Sequence, residues 1–418
     1  MKLTRVVGLV GAVAALLAIS FAVPASAVAS SLPSVGIGST TLATPASGGR
    51  YIYVSTTGHD TVSEYKTWLN GYDTYNRYHC LLDSKYLTEG TSQTTCPEPS
   101  ASDPLRNIQT AVRVAHPGDV IVVRAGNYKE EVGWSAVKGT ASRPIVMQAY
   151  PGEKVYLDGT LILHSPSYWT IQGFRFVYDK AIQGTGQAIV YLSGGQHWIF
   201  ENNEVRGSPG YANVIIQSDT ATSSSVAALT AAAPKDYLVY GNCIHDNVGV
   251  NQALDHNIYL TGTIYQTGGV IEHNLLFDAP RGSNIKAAAS GTGYTRLSPA
   301  NVNIEYNTML DAASGVTVGL DARGLKIEHN LIALPLNSQA VDGGIHVWAL
   351  ANPPSNTVEY NLINGYTYPI HEHIGQTTHF VTAGNVGTSV TFTGSATSCS
   401  SRPTSATISS QYGQYAGS

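Results

Sequence analysis

A short phrase recurs along the chain and limits the folds that the sequence can adopt. It consists of an apolar residue, two further residues, an asparagine, one residue and a second apolar residue, as in Ile271-Glu-His-Asn274-Leu-Leu276. The repeated asparagines are Asn203, Asn242, Asn274, Asn307, Asn330 and Asn361. The steps between them are 39, 32, 33, 23 and 31 residues. Such unequal steps are typical of a solenoid whose coils have one girth and carry insertions on their turns.

A second apolar segment lies between successive phrases, as in Asn257-Ile-Tyr-Leu260 and Asn284-Ile-Lys-Ala287. One coil of this length cannot bury its own apolar residues. Stacked coils about 4.8 Å apart bury them and pair all backbone strands. An asparagine at one fixed position of every coil can satisfy backbone groups and stack with its copies. The sequence therefore predicts an all-β protein, a parallel β-helix (a single-stranded solenoid), with the six asparagines in a row at one corner.

The N-terminus has the pattern of an export signal. Lys2 and Arg5 precede an apolar run from residue 6 to residue 23, and Ala25-Ser26-Ala27 provides small residues for cleavage. We predict a signal peptide at residues 1–27. The alternative is an uncleaved membrane anchor, because the run is marginally long enough to span a bilayer. The prediction implies a secreted, extracellular protein without a membrane partner after cleavage, in which disulfides are permitted.

Composition divides the rest of the chain. Residues 28–50 are rich in Ser, Thr, Gly, Ala and Pro and are predicted to be a linker, and residues 51–385 to form the β-helix domain. Within it, residues 59–103 form a polar insertion in which Cys80 and Cys96 are expected to pair. Residues 386–418 form a Ser/Thr-rich tail or cap. Whether Cys243 and Cys399 pair is open at this point.

A helix is predicted after Asp103-Pro104, because Ile108, Ala111, Val112 and Ala115 have helical spacing. We expect it to cap the open first coil, whose free strand edges would otherwise invite pairing with another chain. The net charge is −5, and 12% of the residues are charged, with no run of Lys or Arg. This composition argues against a nucleic-acid partner.

Several motifs near the start of the domain carry a family resemblance. They are Tyr53-Val-Ser-Thr-Thr-Gly-His-Asp60, Ile108-Gln-Thr-Ala111, Pro117-Gly-Asp-Val-Ile-Val122, Gly126-Asn-Tyr128 and Ala149-Tyr-Pro-Gly152. With them, residues 51–385 resemble the right-handed parallel β-helix proteins of the pectate-lyase-like superfamily, in particular secreted polysaccharide lyases of families six and nine. The resemblance implies right-handed coils, an acidic glycan as substrate and a lysine that abstracts the proton alpha to a uronate carboxyl. One fold hosts many reactions, so the reaction must be argued from the site.

Side chains alternate faces along a strand, so the residues next to the buried Ile of each second segment point outward. This outward column reads Tyr259, Lys286, Thr317, His346 and His371. Lys286 is the candidate base, the alternative being a solvated lysine on a strand. Tyr259 and His346 could act as general acid or base, or could stack on a sugar.

Two residues beside this column complete the candidate catalytic set. Arg281 is expected in a turn, where it could clamp a carboxylate or pair with Asp278. His256 precedes Tyr259 by three residues.

Aspartates form a second column. Asp246, Asp278 and Asp311 each follow a repeat asparagine by four residues and fall in consecutive coils. Three stacked carboxylates repel one another unless a cation intervenes, and Ca²⁺ takes such oxygen ligands. We therefore predict a possible calcium site here, which Asp255 could join. The alternative is that these aspartates are ordinary turn residues.

A third column is glutamate: Glu201, Glu272, Glu305, Glu328 and Glu359. Because it spans most of the helix, we interpret it as a solvated face. Three functions remain for a chain expected to be a monomer. They are a lyase on a uronate-containing glycan, a glycoside hydrolase using carboxylates of the aspartate column, and a non-catalytic glycan-binding or surface protein.

Overall fold

The structure is a computed structural model. It describes residues 36–58, 99–135, 137–183, 188–220, 224–249, 255–289, 296–335, 343–348, 356–372, 380–386, 398–400 and 412. The predicted signal peptide, the pairing of Cys80 with Cys96 and most of the 59–103 insertion lie outside these residues.

The described strands form three parallel sheets. The first sheet contains β1 (Tyr51–Val54), β2 (Val120–Val123), β5 (Ile145–Ala149), β8 (Trp169–Gln172), β11 (Ile199–Glu201), β14 (Leu238–Tyr240), β17 (Gly269–Glu272), β20 (Val302–Glu305), β23 (Lys326–Glu328), β26 (Asn356–Glu359) and β29 (Phe380–Ala383). The second sheet contains β3 (Gly126–Tyr128), β6 (Val155–Asp158), β9 (Phe174–Val177), β12 (Glu204–Arg206), β15 (Cys243–His245), β18 (Leu275–Phe277), β21 (Thr308–Leu310), β24 (Leu331–Ala333) and β27 (Leu362–Ile363). The third sheet contains β4 (Glu131–Ser135), β7 (Thr160–His164), β10 (Val190–Ser193), β13 (Ala212–Gln217), β16 (His256–Leu260), β19 (Ala279–Ala287), β22 (Ala312–Gly319), β25 (Ile345–Trp348) and β28 (Ile370–Glu372).

From β2 onward the chain visits the first, second and third sheets in turn, so three consecutive strands make one coil. Each strand pairs in parallel with the equivalent strand of the coil before and after it. Ile271, Ile304 and Ile327, for example, are register partners on the first sheet and are fully buried. Stacking thus removes from water the apolar residues that one coil alone would expose. The all-β parallel β-helix predicted from the repeats is confirmed.

The predicted corner row of asparagines is present. The backbone N–H and the side-chain Nδ2 of each ladder asparagine both donate to Oδ1 of the next, and Nδ2 also donates to a backbone carbonyl. We call this row the first asparagine ladder. Its members are Asn203, Asn242, Asn274, Asn307, Asn330 and Asn361, with Asn385 added at the end. Phe174 holds the equivalent position in an earlier coil, and its N–H donates to Asn203 Oδ1 over 2.9 Å.

Three helices accompany the strands in the described part of the chain: α1 (Ile108–Val114), α2 (Lys180–Gln183) and α3 (Val226–Ala232). α1 is the helix predicted from the sequence, and it packs on β1, β2 and β4. Its first N–H groups, those of Ile108 and Gln109, donate to the Glu130 carboxylate over 2.9 Å each. That α1 caps the first coil stays a prediction. No helix among the described residues is long and apolar enough to cross a membrane.

Segments from both ends of the chain lie on the coils. Gly38 N–H donates to the Asn202 carbonyl and Ala43 N–H donates to the Gln148 side chain, so residues 36–50, predicted to be a linker, are held to the β-helix. In the C-terminal tail, Cys399 forms a disulfide with Cys243. This bond answers the pairing question that the sequence left open and fixes the tail to the outer face of the second sheet.

The first asparagine ladder predicts the outcome of a substitution in its middle. In Asn307→Ala, the N–H of Asn274 and the carbonyl of Ile271 lose their partners inside the protein. Buried unsatisfied groups cost about 1–3 kcal/mol each, so we expect a loss of about 3 kcal/mol in the free energy of unfolding. Urea unfolding followed by circular dichroism measures it. The matched control is Asn303→Ala on the outer face of the same coil, with an expected loss below about 0.5 kcal/mol. Equal losses would contradict a special role for the ladder.

Candidate functional site

The outward column of the third sheet has the register expected from the sequence. Successive strands pair Tyr259 with Lys286, Lys286 with Thr317, Thr317 with His346 and His346 with His371. Beside this column lies a cavity of about 210 Å³. Its described lining consists of His256, Arg281, Gly282, Ser283, Lys286, Ala288, Ala313, Ser314, Thr317, Gly319, His346 and Trp348. We call it the Lys286 cavity.

A second row of asparagines fixes the strands that carry the column. Asn213 Nδ2 donates to Asn257 Oδ1, and Asn257 Nδ2 donates to Asn284 Oδ1, over 2.8 Å in both cases. Each Nδ2 also donates to a carbonyl at the end of the second sheet or just before the turn, such as that of Phe277. All three side chains are fully buried. This second asparagine ladder lies near the start of β13 and β16 and, in β19, directly after the bulge, and its last two members lie two residues before Tyr259 and Lys286. The sequence reasoning missed it, although the recurring Asn-Ile pair was its signal.

Arg281 does not lie in a turn, as the sequence predicted, but within strand β19. The register between β19 and β22 shifts between Ala279 and Ser283, which marks a bulge. The bulge leaves Arg281 exposed at the edge of the cavity. Gly282 must be glycine here, because a Cβ atom would collide with the backbone carbonyl of Asp255. Among the described residues, Arg281 and Asp278 form no ion pair.

Lys286 is half-buried in the cavity wall. Its Nζ lies 5.3 Å from the centroid of the Tyr259 ring, within the range of a cation–π contact. Burial lowers the pKa of Lys286 to about 8 from its ordinary value of 10.5, because a low-dielectric surrounding penalises the charged form. A substantial neutral fraction is therefore present near pH 8, as a general base requires.

The ring of Tyr259 lies beneath the Lys286 side chain. Its hydroxyl donates to the Ala289 carbonyl over 3.1 Å, and burial raises the pKa of the phenol. A phenol already donating its proton to a backbone carbonyl and disfavoured as a phenolate is a weak candidate for acid or base. The geometry instead favours Tyr259 as the ring on which Lys286 rests.

His256 is buried, and its ring tautomer follows from one contact. The backbone N–H of Ser283 donates to Nδ1 over 3.0 Å. Because an N–H group can only donate, Nδ1 must be unprotonated, and the ring proton resides on Nε2. The neutral imidazole thus offers an N–H donor in the cavity wall.

The opposite side of the cavity is made by β22 and β25. Thr317 Oγ1 lies 2.6 Å from Ser283 Oγ, which links β22 to β19, the strand that carries Lys286. His346 stacks on His371 with 5.5 Å between ring centroids. Ser283 and Trp348 were missed by the sequence reasoning. Strand alternation could have found Trp348, which lies two residues after His346.

The aspartate column occupies the turn between the second and third sheets. Asp246, Asp278 and Asp311 all have left-handed backbones, with φ of 53°, 55° and 49°. Their carboxyls interact as the spacing predicts: burial and the neighbouring Asp246 raise the pKa of Asp278, and burial and Asp278 raise that of Asp311 to about 6. Asp246 has its own partner in His245, whose Nδ1 lies 3.2 Å from the carboxylate, and the pKa of Asp246 is lowered by this contact.

The aspartates of this column do not line the Lys286 cavity. Asp246 borders a different cavity, together with Arg206, His245 and Cys399. None of the described residues lining the Lys286 cavity is an aspartate or a glutamate. Asp255 is buried directly before β16 and lines neither cavity. The predicted base and the predicted cation ligands therefore do not line the same cavity.

The glutamate column runs along the outer face of the first sheet, and Tyr240 replaces glutamate in one coil. Its members are half-buried rather than freely solvated, and burial, followed by Glu305, raises the pKa of Glu272 to about 7. Next to it the rings of His273, Tyr306, His329 and Tyr360 stack with centroid distances of 5.4, 4.9 and 5.4 Å. This face contributes to coil stacking and shares no cavity lining with Lys286.

Comparison with known proteins agrees with this architecture. The chain is 31% identical over 107 residues to pectate lyase PEL9 of Emericella nidulans, a match that covers 25% of this chain and 24% of that protein. It thus matches about a quarter of the length of this curated relative. Among solved structures it is similar to pectate lyase Pel9A, with a TM-score of 0.53, 14% identity and coverage of 85% of this chain and 80% of that one. It is also similar to XylC in complex with xylose, with a TM-score of 0.51, 13% identity and coverage of 81% and 68%. No family model matches the chain. The chain has the pectate-lyase-like parallel β-helix fold. Because the sequence identities are this low, the similarity to the solved structures is evidence for the fold alone.

The lowered pKa of Lys286 predicts an unusual effect on stability. At pH 7 the folded protein holds a partly desolvated ammonium, so Lys286→Met should raise the free energy of unfolding by about 1–2 kcal/mol, a value reduced for partial exposure. Above the unfolded pKa, near 10.5, the amine is neutral in both states and the gain should vanish. Urea unfolding at pH 7 and pH 10.5 measures both values. Lys326→Met, at an exposed lysine of the first sheet, is the control and should change stability by less than about 0.5 kcal/mol. A destabilised Lys286→Met would show that the ammonium is well solvated.

Proposed function

We propose that this protein, which has the fold of pectate lyase Pel9A, is an exported polysaccharide lyase that cleaves a uronic-acid-containing glycan by β-elimination. The observation that carries the proposal is Lys286, an amine with a pKa near 8 in a cavity that also holds Arg281 and His256. A neutral amine beside a cationic guanidinium and an N–H donor suits proton abstraction next to a carboxylate.

The proposed reaction begins with neutral Lys286. Its Nζ takes the proton from the carbon alpha to the uronate carboxyl. The electron pair of that C–H bond forms a carbon–carbon double bond as the bond from the beta carbon to the glycosidic oxygen breaks. The departing oxygen gains a proton, and the products are an unsaturated uronate and a new sugar hydroxyl. Lys286 then returns its proton to solvent.

Negative charge develops on the uronate carboxyl during abstraction, and two cavity residues can stabilise it. The exposed guanidinium of Arg281 can bind both carboxyl oxygens at once. The Nε2–H of His256 can donate a further hydrogen bond without changing its own protonation. The bulge in β19 positions both groups. Arg281 lies within the bulge, and the backbone N–H of Ser283, at its end, donates a hydrogen bond to the His256 ring.

His346 is the residue that we assign to the departing oxygen. It lies two strands from Lys286, with Thr317 between them, which places the two backbones about 10 Å apart along the axis. The abstracted proton and the departing oxygen are on adjacent carbons of one sugar ring, so the side chains of Lys286 and His346 would both reach toward a ring bound over Thr317.

A glycoside hydrolase is the second candidate. It needs two carboxyl groups flanking the scissile bond, about 5–9.5 Å apart. The described lining of the Lys286 cavity contains no carboxyl group, which disfavours hydrolysis there. The aspartate column, which the sequence analysis assigned to the hydrolase alternative, does not line this cavity. A non-catalytic glycan-binding protein is the third candidate, in which Lys286 and Arg281 would only bind the carboxylate.

Calcium remains a proposal for the aspartate column. Asp278 and Asp311 have raised pKa values because burial and neighbouring carboxylates penalise their charge, and a divalent cation would relieve that penalty. Hard carboxylate oxygens are suitable ligands. Because this column lies apart from the Lys286 cavity, we assign the ion a role in stabilising the turn and route no step of the elimination through it.

Activity measurements test the lyase proposal. Incubation with a panel of uronate polymers, polygalacturonate and alginate among them, should generate the ultraviolet absorbance of an unsaturated uronate. On the substrate found, kcat/KM should rise with pH through about 8. Lys286→Ala should lower turnover about 10³-fold and Arg281→Ala about 10²-fold. Glu328→Ala, on the first sheet, is the control and should match the parent. Near-parent activity of Lys286→Ala would exclude this site as the lyase centre and move the hydrolase to first place.

Thermal unfolding in Ca²⁺ and in EDTA tests the calcium proposal. Ca²⁺ should raise the melting temperature of the parent, and Asp278→Asn should abolish the response. In EDTA the variant should be at least as stable as the parent, because it lacks the penalised carboxylate. Asp236→Asn, at an exposed turn aspartate with φ of 48°, should leave the calcium response intact. If parent and Asp278→Asn respond alike, the aspartates are turn residues and nothing more.

A further inference from the structure

Trp348 is an exposed indole at the edge of the Lys286 cavity. It ends strand β25, two residues after His346 and on the same outward face, and 39% of its surface is accessible. Two other tryptophans in the described part of the chain, Trp169 and Trp198, are fully buried in the β-helix core. An indole left in water exposes apolar area that folding normally covers, so its place beside the candidate base calls for an explanation.

The neighbouring strand is built to receive one face of this indole. Gly319 is the register partner of Trp348 on β22. A Cβ atom at Gly319 would lie 3.2 Å from Cε3 of the indole, closer than ordinary packing allows. The indole therefore rests close to the bare backbone of β22, which orients the ring while leaving part of its surface to solvent.

The cavity next to the indole is kept open by small side chains. Ala288 and Gly319 line it at the Trp348 end, and Gly282, Ala313 and Ser314 line it at the Ser283 end. The aromatic surface continues toward the C-terminal coils, where Tyr368, 50% exposed, stacks on His371 with 4.9 Å between centroids. The aromatic surface of Trp348 thus lies beside the polar residues around Lys286, where a glycan bound at Lys286 would extend.

We infer that Trp348 is a stacking platform for a sugar ring, forming a subsite next to the residue whose proton Lys286 removes. One face of a pyranose ring is lined by C–H groups, and this face packs on an indole while the hydroxyl and carboxylate groups at the ring edge stay in reach of polar side chains. This inference rests on the proposed function for its substrate class, a uronate-containing glycan. It adds the subsite and the direction of the bound glycan, which runs from Lys286 toward β25 and β28.

Binding and turnover measured separately test the inference. Affinity for tetragalacturonate and for an alginate tetrasaccharide is measured by calorimetry in the Lys286→Ala background, where the expected turnover is about 10³-fold lower. KM and kcat are measured on the polymer in the otherwise unchanged protein. Trp348→Ala should weaken binding and raise KM at least tenfold with kcat changed less than threefold. Trp348→Phe, which keeps an aromatic face, should restore most of the affinity.

Two further variants make the test specific to the platform. Tyr360→Ala removes an aromatic that is 47% exposed on another face and should change neither KM nor affinity. Gly319→Ala places a methyl group against both the indole and the backbone carbonyl of Trp348, so it should displace the ring and raise KM in the same direction as Trp348→Ala. Melting temperatures within about 2 °C of the parent show that each effect is local.

The outcomes separate this inference from the proposed function. Cleavage of a uronate polymer with KM unchanged in Trp348→Ala overturns the platform and leaves the lyase standing. Binding that depends on Trp348 without any cleavage by the parent overturns the lyase and supports the platform as a glycan-binding subsite. A parent that neither binds nor cleaves any member of the panel overturns both.

Discussion

The buried amide ladders are the interactions on which this β-helix depends. Every coil must turn sharply between sheets, and each turn buries backbone groups that no strand pairing can satisfy. In the first ladder, one asparagine per coil accepts from the N–H groups of its neighbour and donates to carbonyls of the preceding strand. Because an unsatisfied buried group costs about 1–3 kcal/mol, the ladder is a condition for stacking the coils rather than an addition to it.

The ladder also offsets strain at the corner. The residue before each ladder asparagine adopts a left-handed backbone, including His273, Tyr306, His329 and Tyr360 with φ between 53° and 55°. Such conformations cost roughly 1 kcal/mol or more for residues other than glycine. The stacked rings and the amide bonds compensate this cost in the same coils. Asn202 and Gly241 hold the same position in earlier coils and favour a left-handed backbone, whereas tyrosine does not, so the sequence indicated this feature of the corner in only some coils.

The same reasoning explains which parts of the site were predictable. Strand alternation and the repeat register correctly placed Tyr259 over Lys286, because neighbours along the axis follow directly from the repeats. The position of a residue around the coil does not follow from the repeats. The distance between the turn that bears Asp278 and the face that bears Lys286 depends on the shape of the coil, which the spacing of the repeats does not determine. The β19 bulge adds an irregularity that no repeat contains, and it moves Arg281 from a predicted turn to a strand edge.

The pKa of Lys286 follows from these constraints in turn. A lysine on a strand face is ordinarily solvated, but here the bulge draws β19 toward Asp255 and His256, and the side chain lies over Tyr259. Asn284, the last member of the second ladder, fixes the start of the segment that carries it. Desolvation of an amine is unfavourable by itself and persists only where rigid neighbours maintain it. The fully satisfied amides two residues away supply that rigidity, so the chemistry proposed for Lys286 rests on hydrogen bonds that contact no substrate.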